Sequence, residues 1–175
     1  MNVNFAADSI ANANFLVSFK KWRCKTFINW SIGNNTTINS SARDTLSVIS
    51  YDENNELPVG VLGLCYGYYS GCSADDWYIE EQDMLFRKSD LWHFGDGAIS
   101  SNQLDFQSVA LHELGHAHQL AHVNNNVNLM HYSIGFGIQK RNIESSNFEA
   151  AKWIMNKSLE SDLCDKKKMQ LLDGD

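Results

Sequence analysis

Proline is nearly absent, with Pro58 the only one in 175 residues. That removes proline-rich linkers and polyproline recognition tracts, which need repeated residues locked near φ of about −65°. No apolar run approaches the roughly 20 residues that a membrane-spanning helix requires, and no internal repeat of solenoid length is visible. Basic residues are in deficit, 14 Lys and Arg against 21 Asp and Glu, giving a formal net charge of -7. A nucleic-acid partner is therefore not expected, and the Lys166-Lys167-Lys168 run reads as a solvated tail. What remains, 43% hydrophobic and 20% charged residues, is the composition of a globular chain of one-domain size.

One segment stands out: His112-Glu113-Leu114-Gly115-His116-Ala117-His118-Gln119-Leu120-Ala121-His122. A chain of this composition contains H-E-x-x-H by chance about once in a hundred cases, so the pattern carries information. Helical residues four apart differ by about 40° around the axis and about 6 Å along it, which projects His112 and His116 from one face. Two imidazoles so placed can grip one zinc ion. Glu113, about 100° around from His112, can reach a water at that ion without displacing a histidine, the position of a general base. A continuous helix would carry His122 about 15 Å from His112, so the helix must stop near Gln119 and turn back. His122 then supplies a third nitrogen and leaves the fourth position to water, the open arrangement of a catalytic zinc.

The rest of this helix fits. Phe106, Ala110, Leu114 and Ala117 form an apolar stripe for the core, Val109, His112 and His116 occupy another face, and Asp105 is placed to cap the N-terminus. His118, on the far side from His116, reads as a surface or packing residue, and His93 beside Trp92 as structural.

Eight residues beyond His122, the run Asn128-Leu129-Met130-His131-Tyr132 completes a pattern that resembles the metzincin zinc endopeptidases, whose signature is H-E-x-x-H-x-x-G-x-x-H followed by a methionine-containing turn. The short spacing from His122 to Met130 is similar to the matrixin branch, and the M-x-Y ending is similar to astacins and serralysins. The resemblance implies a zinc-dependent endopeptidase acting on protein or peptide substrates. In it His112, His116 and His122 hold one zinc, Glu113 is the general base, Met130 is the floor of the site, and Tyr132 helps stabilise the transition state. His131 has no implied ligand role.

The same resemblance implies an α+β, metzincin-like domain over residues 1–175, with a mixed, mostly parallel sheet, the active-site helix and a C-terminal helix. Its upper part would span about 1–121 and its lower part 122–175. A setting that is secreted, at the cell surface or periplasmic follows from the likeness. Calcium is compatible with it, but no acidic loop is specific enough to assign a site. One position departs: Gln119 stands where the family has glycine. The turn there favours a left-handed backbone, which costs a non-glycine residue on the order of 1 kcal/mol or more. The alternative that accommodates this departure is a non-catalytic, zinc-containing peptide-binding domain, against which retention of Glu113 argues.

Elsewhere, apolar spacing predicts a core-facing helix over 10–22, through Ile10, Ala13, Phe15, Leu16, Phe19 and Trp22. Alternation predicts strands over 27–32, 45–51 and 77–86. Val59-Gly60-Val61-Leu62-Gly63-Leu64 reads as a glycine-interrupted strand, either interior or bulged, or, by the resemblance, the edge on which a peptide substrate lies, with Gly60, Val61, Leu62 and Gly63 in contact. The stretch from Ser133 to Gly137 offers Ile134 and Phe136 as walls of a substrate pocket. Ser146-Asn147-Phe148-Glu149 has capping-box spacing ahead of a helix through Ala150, Trp153, Ile154 and Leu159. Cys24, Cys65, Cys72 and Cys164 permit three full pairings, among them Cys65 with Cys72 and Cys24 with Cys164, or remain free core thiols. Residues 1–11 lack the basic start and apolar core of a signal peptide, so a longer natural product is expected; no cysteine-switch prosegment is seen.

Overall fold

Two helices open the chain in the computed structural model, which describes residues 1–160, 162–167 and 169–171. Helix α1 (Val3–Ala7) is capped by the Asn2 side chain, and α2 (Ser9–Thr26) by Asp8, which accepts from the Ala11 N–H at 3.1 Å. The expected helix is thus present and longer than its apolar pattern. Its buried face is Ala11, Phe15, Ser18, Phe19 and Trp22, while Ile10 and Leu16 point outward. Phe27 ends α2 in a left-handed conformation, φ 61°.

The strand expected over 27–32 does not form. The alternation is real, with Ile28 buried between exposed neighbours, and Trp30 stacks on Phe19 at a centroid distance of 5.9 Å. Alternate burial here records side chains docking onto α2 without any partner strand.

Three strands form the main sheet in the order β1-β3-β2: β1 (Ile49–Tyr51), β2 (Gly63–Gly71) and β3 (Trp77–Phe86). The sheet is mixed, β1 running parallel to β3 with Ile49 opposite Met84, and β2 antiparallel with Gly63 opposite Phe86. Strand β3 has the bounds its sequence pattern indicates. Strand β1 is shorter than the 45–51 expected, because Thr45 is left-handed at φ 73° and the segment before it is held by side chains. Glu81 accepts the Asp44 and Thr45 N–H groups and Asp83 the Val48 N–H, so carboxylates of β3 replace strand carbonyls.

Only Gly63 and Leu64 of the glycine-interrupted run belong to β2. Gly60 turns at φ 83°, and the Arg87 guanidinium takes the carbonyls of Pro58 and Val61, each at 2.7 Å. A short parallel pair, β4 (Trp92–His93) and β5 (Leu104–Asp105), leads into α3 (Phe106–Ala117), and α4 (Ser145–Glu160) follows the cleft.

Helix α4 begins at Ser145, ahead of the capping box expected at Ser146, since the Glu144 carbonyl already accepts from the Asn147 and Phe148 N–H groups. Its buried stripe is Asn147, Ala151 and Met155, leaving Trp153 outside.

The core lies between the sheet and α2 and α3. Phe5, Phe15, Phe86 and Phe106 are fully buried, with centroid separations from 5.1 to 6.3 Å among the Phe5–Phe15, Phe5–Phe86, Phe5–Phe106, Phe15–Phe86 and Phe86–Phe106 pairs. Such aromatic pairs add about 0.5–1.5 kcal/mol each beyond the area they bury. Neither suggested cysteine pairing occurs. Cys72 is bonded to Cys164 across 92 residues, tying the β2–β3 turn to the chain beyond α4, while Cys24 and Cys65 are free. No described helix is long and apolar enough to cross a membrane. Lys168 of the basic run lies outside the described residues.

Candidate functional site

Helix α3 is fixed at both ends. Asp105, wholly buried, accepts from the Ser108 N–H at 3.0 Å and its hydroxyl at 2.5 Å. At the other end Gln119 takes φ 68°, the left-handed conformation that its place in the motif demands, and Leu120 N–H returns to the Gly115 carbonyl at 3.1 Å. Its side chain offsets the cost. Gln119 Oε1 accepts from the Tyr69 hydroxyl at 2.5 Å, tethering the turn to β2 just after a bulge at Tyr68/Tyr69. Glycine could not make that bond.

The turn brings His122 back onto the face of His112 and His116. The three Nε2 atoms lie 3.0–3.1 Å from one another, close to the roughly 3.3 Å that tetrahedral zinc sets between its nitrogens. His112 Nδ1 is 2.8 Å from the Leu129 carbonyl and His116 Nδ1 is 2.7 Å from that of Leu120. A carbonyl cannot donate, so each Nδ1 carries the proton. Burial pulls the His112 pKa down to about 4 and lowers that of His116, keeping both rings neutral with bare Nε2 lone pairs. Three nitrogens converging in this way repel one another without a cation between them, and they are the donor type that suits zinc. Among the described residues this is the one cluster of three or more such groups able to hold a metal.

Glu113 lies beside the triad, 4% exposed, and burial raises its pKa to about 8 against the opposing hydrogen bond from the Cys65 N–H. Its Oε2 is buried without a partner, and a cation held by the neighbouring triad would favour the ionised carboxylate that a base must be. Gly63 makes its placement possible, since a Cβ there would come within 2.9 Å of Val109 Cγ1 and 3.0 Å of Glu113 Cγ. Gly63→Ala is therefore expected to cost about 1–3 kcal/mol by overpacking, read as a lower urea midpoint with unchanged m; an unshifted midpoint contradicts the contact.

A cavity of about 290 Å³ opens on the triad and Glu113. Gly60, Val61, Leu62 and Gly63 line one side and Tyr132 and Ile134 another, as the sequence suggests. Phe136 does not line it and is 53% exposed. Tyr132 is 66% exposed, with its ring centroid 6.5 Å from that of His122. His118 lies on the other side of α3, buried between Trp22 and Trp30, and His93 is buried against the Gly97 carbonyl.

Met130 is buried against Gly115 of α3, where any Cβ would collide with its sulfur and approach Trp22. Its turn is held from α4. Asn128 Oδ1 accepts from the Met130 N–H at 2.8 Å and from Asn147 Nδ2 at 3.1 Å, and Glu144 Oε2 accepts from the Leu129 N–H. The Leu129 carbonyl in turn orients His112. Glu144, Asn147, Tyr69 and Lys140 have no role that local spacing could reveal, because the contacts that place them at the site span 15 residues or more, Glu144 to Leu129, Asn147 to Asn128, Tyr69 to Gln119 and Lys140 to Ser108; Asn128 acts on Met130 only two residues away, a side-chain turn that the motif itself does not specify.

The matrixin family model matches residues 66–155, just over half of the chain, from β2 through α3 and the methionine turn into α4. No curated protein matches. With both the paired-histidine helix and the turn beneath it inside the matched stretch, the chain belongs to the matrixin family of zinc peptidases.

Proposed function

We propose that this chain is a zinc-dependent endopeptidase, in which His112, His116 and His122 hold the metal and Glu113 is the general base. The observation that carries this reading is the convergence of three Nε2 atoms at 3.0–3.1 Å beside a buried carboxylate that shares none of them. Zinc bound there supplies a Lewis acid that polarises a carbonyl and lowers the pKa of a water. Glu113 takes a proton from the attacking water and delivers it to the leaving amine. Tyr132, beside His122, donates its hydroxyl hydrogen toward the oxyanion once substrate orders it. The outer edge of β2, the end strand of its sheet, offers main-chain groups to an extended peptide, and Gly60, Val61 and Leu62 line the cavity beside it. Met130 supports the triad from below. The disulfide between Cys72 and Cys164 favours an oxidising compartment, and so a secreted or cell-surface enzyme.

Casein digestion tests the reading. Zinc-loaded protein is expected to cleave it, a chelator to stop cleavage, and zinc to restore it. If the chain binds one zinc per molecule yet cuts neither casein nor a broad peptide library, it is a binding domain without turnover.

A further inference from the structure

The cavity beside the triad carries a fixed cation. Lys140 lines it, and among the described residues no other Lys or Arg does so. Its two ends are anchored: the backbone N–H donates to Ser108 Oγ at 2.7 Å, and Nζ donates to the Ser133 carbonyl at 3.0 Å. One acceptor leaves two ammonium hydrogens unused. Lys140 enters no ion pair among the described residues, whereas its neighbour Arg141 is paired with Asp105 and Asp96.

Burial lowers the Lys140 pKa, with the Glu144 charge acting in the opposite direction. Glu144 spends its Oε2 on Leu129 N–H and Asn147. The other charged group lining the cavity, Glu113, is five residues beyond Ser108, about 7–8 Å along the helix axis. Ser133, Ile134, Val109 and Leu129 also line the cavity and carry no charge, and the Lys140 charge acts on the ring of His112, which places the ammonium near the triad without an anion to neutralise it.

Resting on the endopeptidase reading, we propose that Lys140 sets specificity by pairing with a carboxylate of the substrate next to the cleaved bond. A half-buried ammonium with spare donors gains most from a charged acceptor, and a desolvated Lys–carboxylate hydrogen bond is stronger than one to an amide. Two sources present that chemistry, an Asp or Glu side chain inside a longer peptide and the terminal carboxylate of a short one.

Two peptide sets separate them. The first has blocked ends and places Glu, Gln or Leu at each of the positions flanking the cut; the second ends at those positions as the free acid or the amide. Wild type is expected to cleave the Glu peptide, or the free acid, about tenfold to a hundredfold faster in kcat/KM than its amide counterpart at one flanking position. Lys140→Met should collapse that ratio to about one and Lys140→Arg should preserve it, the second variant guarding against a loss of folding in the first.

Equal rates for Glu and Gln together with equal rates for acid and amide overturn the proposal, and so does a preference that survives Lys140→Met. The same ratios are read by fluorescence anisotropy of labelled peptides binding to zinc-loaded Glu113→Gln protein. If wild type cleaves nothing while that binding discriminates carboxylate from amide through Lys140, the endopeptidase reading falls and, with it, the link to a cleaved bond, while carboxylate recognition by Lys140 is upheld. If binding does not discriminate either, Lys140 has no such role.

Discussion

Glu113→Ala is expected to lower kcat/KM on casein-derived peptides by roughly 10²–10⁴-fold, the range usual for loss of a positioned acid–base group, while each chain still binds one zinc. Both halves of that expectation follow from geometry. Glu113 contributes no atom to the convergent triad, whose orientation comes from the carbonyls of Leu129 and Leu120, so metal retention should not depend on it. The carboxylate is nonetheless buried at the cavity wall, with Oε2 unpartnered in the protein. Removing a buried, half-satisfied carboxylate relieves a desolvation penalty and forfeits one hydrogen bond from the Cys65 N–H, so lost activity would not come from unfolding. Metal content by mass spectrometry and a melting curve accompany the kinetics. Activity within a few-fold of wild type would exclude Glu113 as the base, and loss of zinc would recast it as part of the metal support.

What the sequence could convey about this site divides along the range of the interaction. The helix of His112 and His116, its cap at Asp105 and its apolar stripe are set by periodicity within about three turns, and all are where that periodicity puts them. Even the departure at Gln119 was readable as a left-handed position, because the resemblance sets a glycine there, at the turn that must bring His122 back. What offsets the strain was not readable, since Tyr69 is 50 residues away and registered by a bulge.

The same limit explains the strand over 27–32 that does not form. Alternation reports which side chains are buried, and that demand is met without a strand: Ile28 is buried and Trp30 docks on Phe19 of α2 and on His118. It also explains β1, cut short because Glu81 and Asp83 supply the acceptors that a longer strand pairing would have provided. Cysteine spacing permitted a short loop closed by Cys65 and Cys72 without choosing among the pairings; strand β2 instead carries Cys65 inward beside Glu113 and leaves Cys72 at the turn to meet Cys164. Phe136 was grouped with Ile134 by composition alone, and only Ile134 lines the cavity.

A buried charge at the start of helix α3 ties it to the chain beyond the methionine turn, and Asp105→Ala is expected to destabilise the protein by about 3–5 kcal/mol, the range for breaking a buried ion pair from one side. Asp105 is wholly buried, caps the helix through Ser108 and pairs with Arg141, whose side chain is 15% exposed. Alanine removes the cap and leaves the guanidinium with only the exposed Asp96 at 3.4 Å. The effect should reach the site, because Ser108 Oγ, held by Asp105, is also the acceptor for the Lys140 N–H.

A pH signature separates this charge effect from simple loss of packing. Burial acts to raise the Asp105 pKa, but hydrogen bonds from Arg141 and Ser108 and the Arg141 charge outweigh it and hold it below the ordinary value. With the folded pKa depressed, the unfolded chain binds the proton first as pH falls. The stabilisation is therefore fully present above the unfolded value of about 3.9 and is lost as pH drops through the folded one. Urea midpoints measured from pH 7 down to pH 3 should fall for wild type, and the gap to Asp105→Ala should narrow below about pH 4. A gap that stays constant over that range would assign the loss to packing and cap geometry, and the Asp105–Arg141 pair would no longer account for how α3 is held.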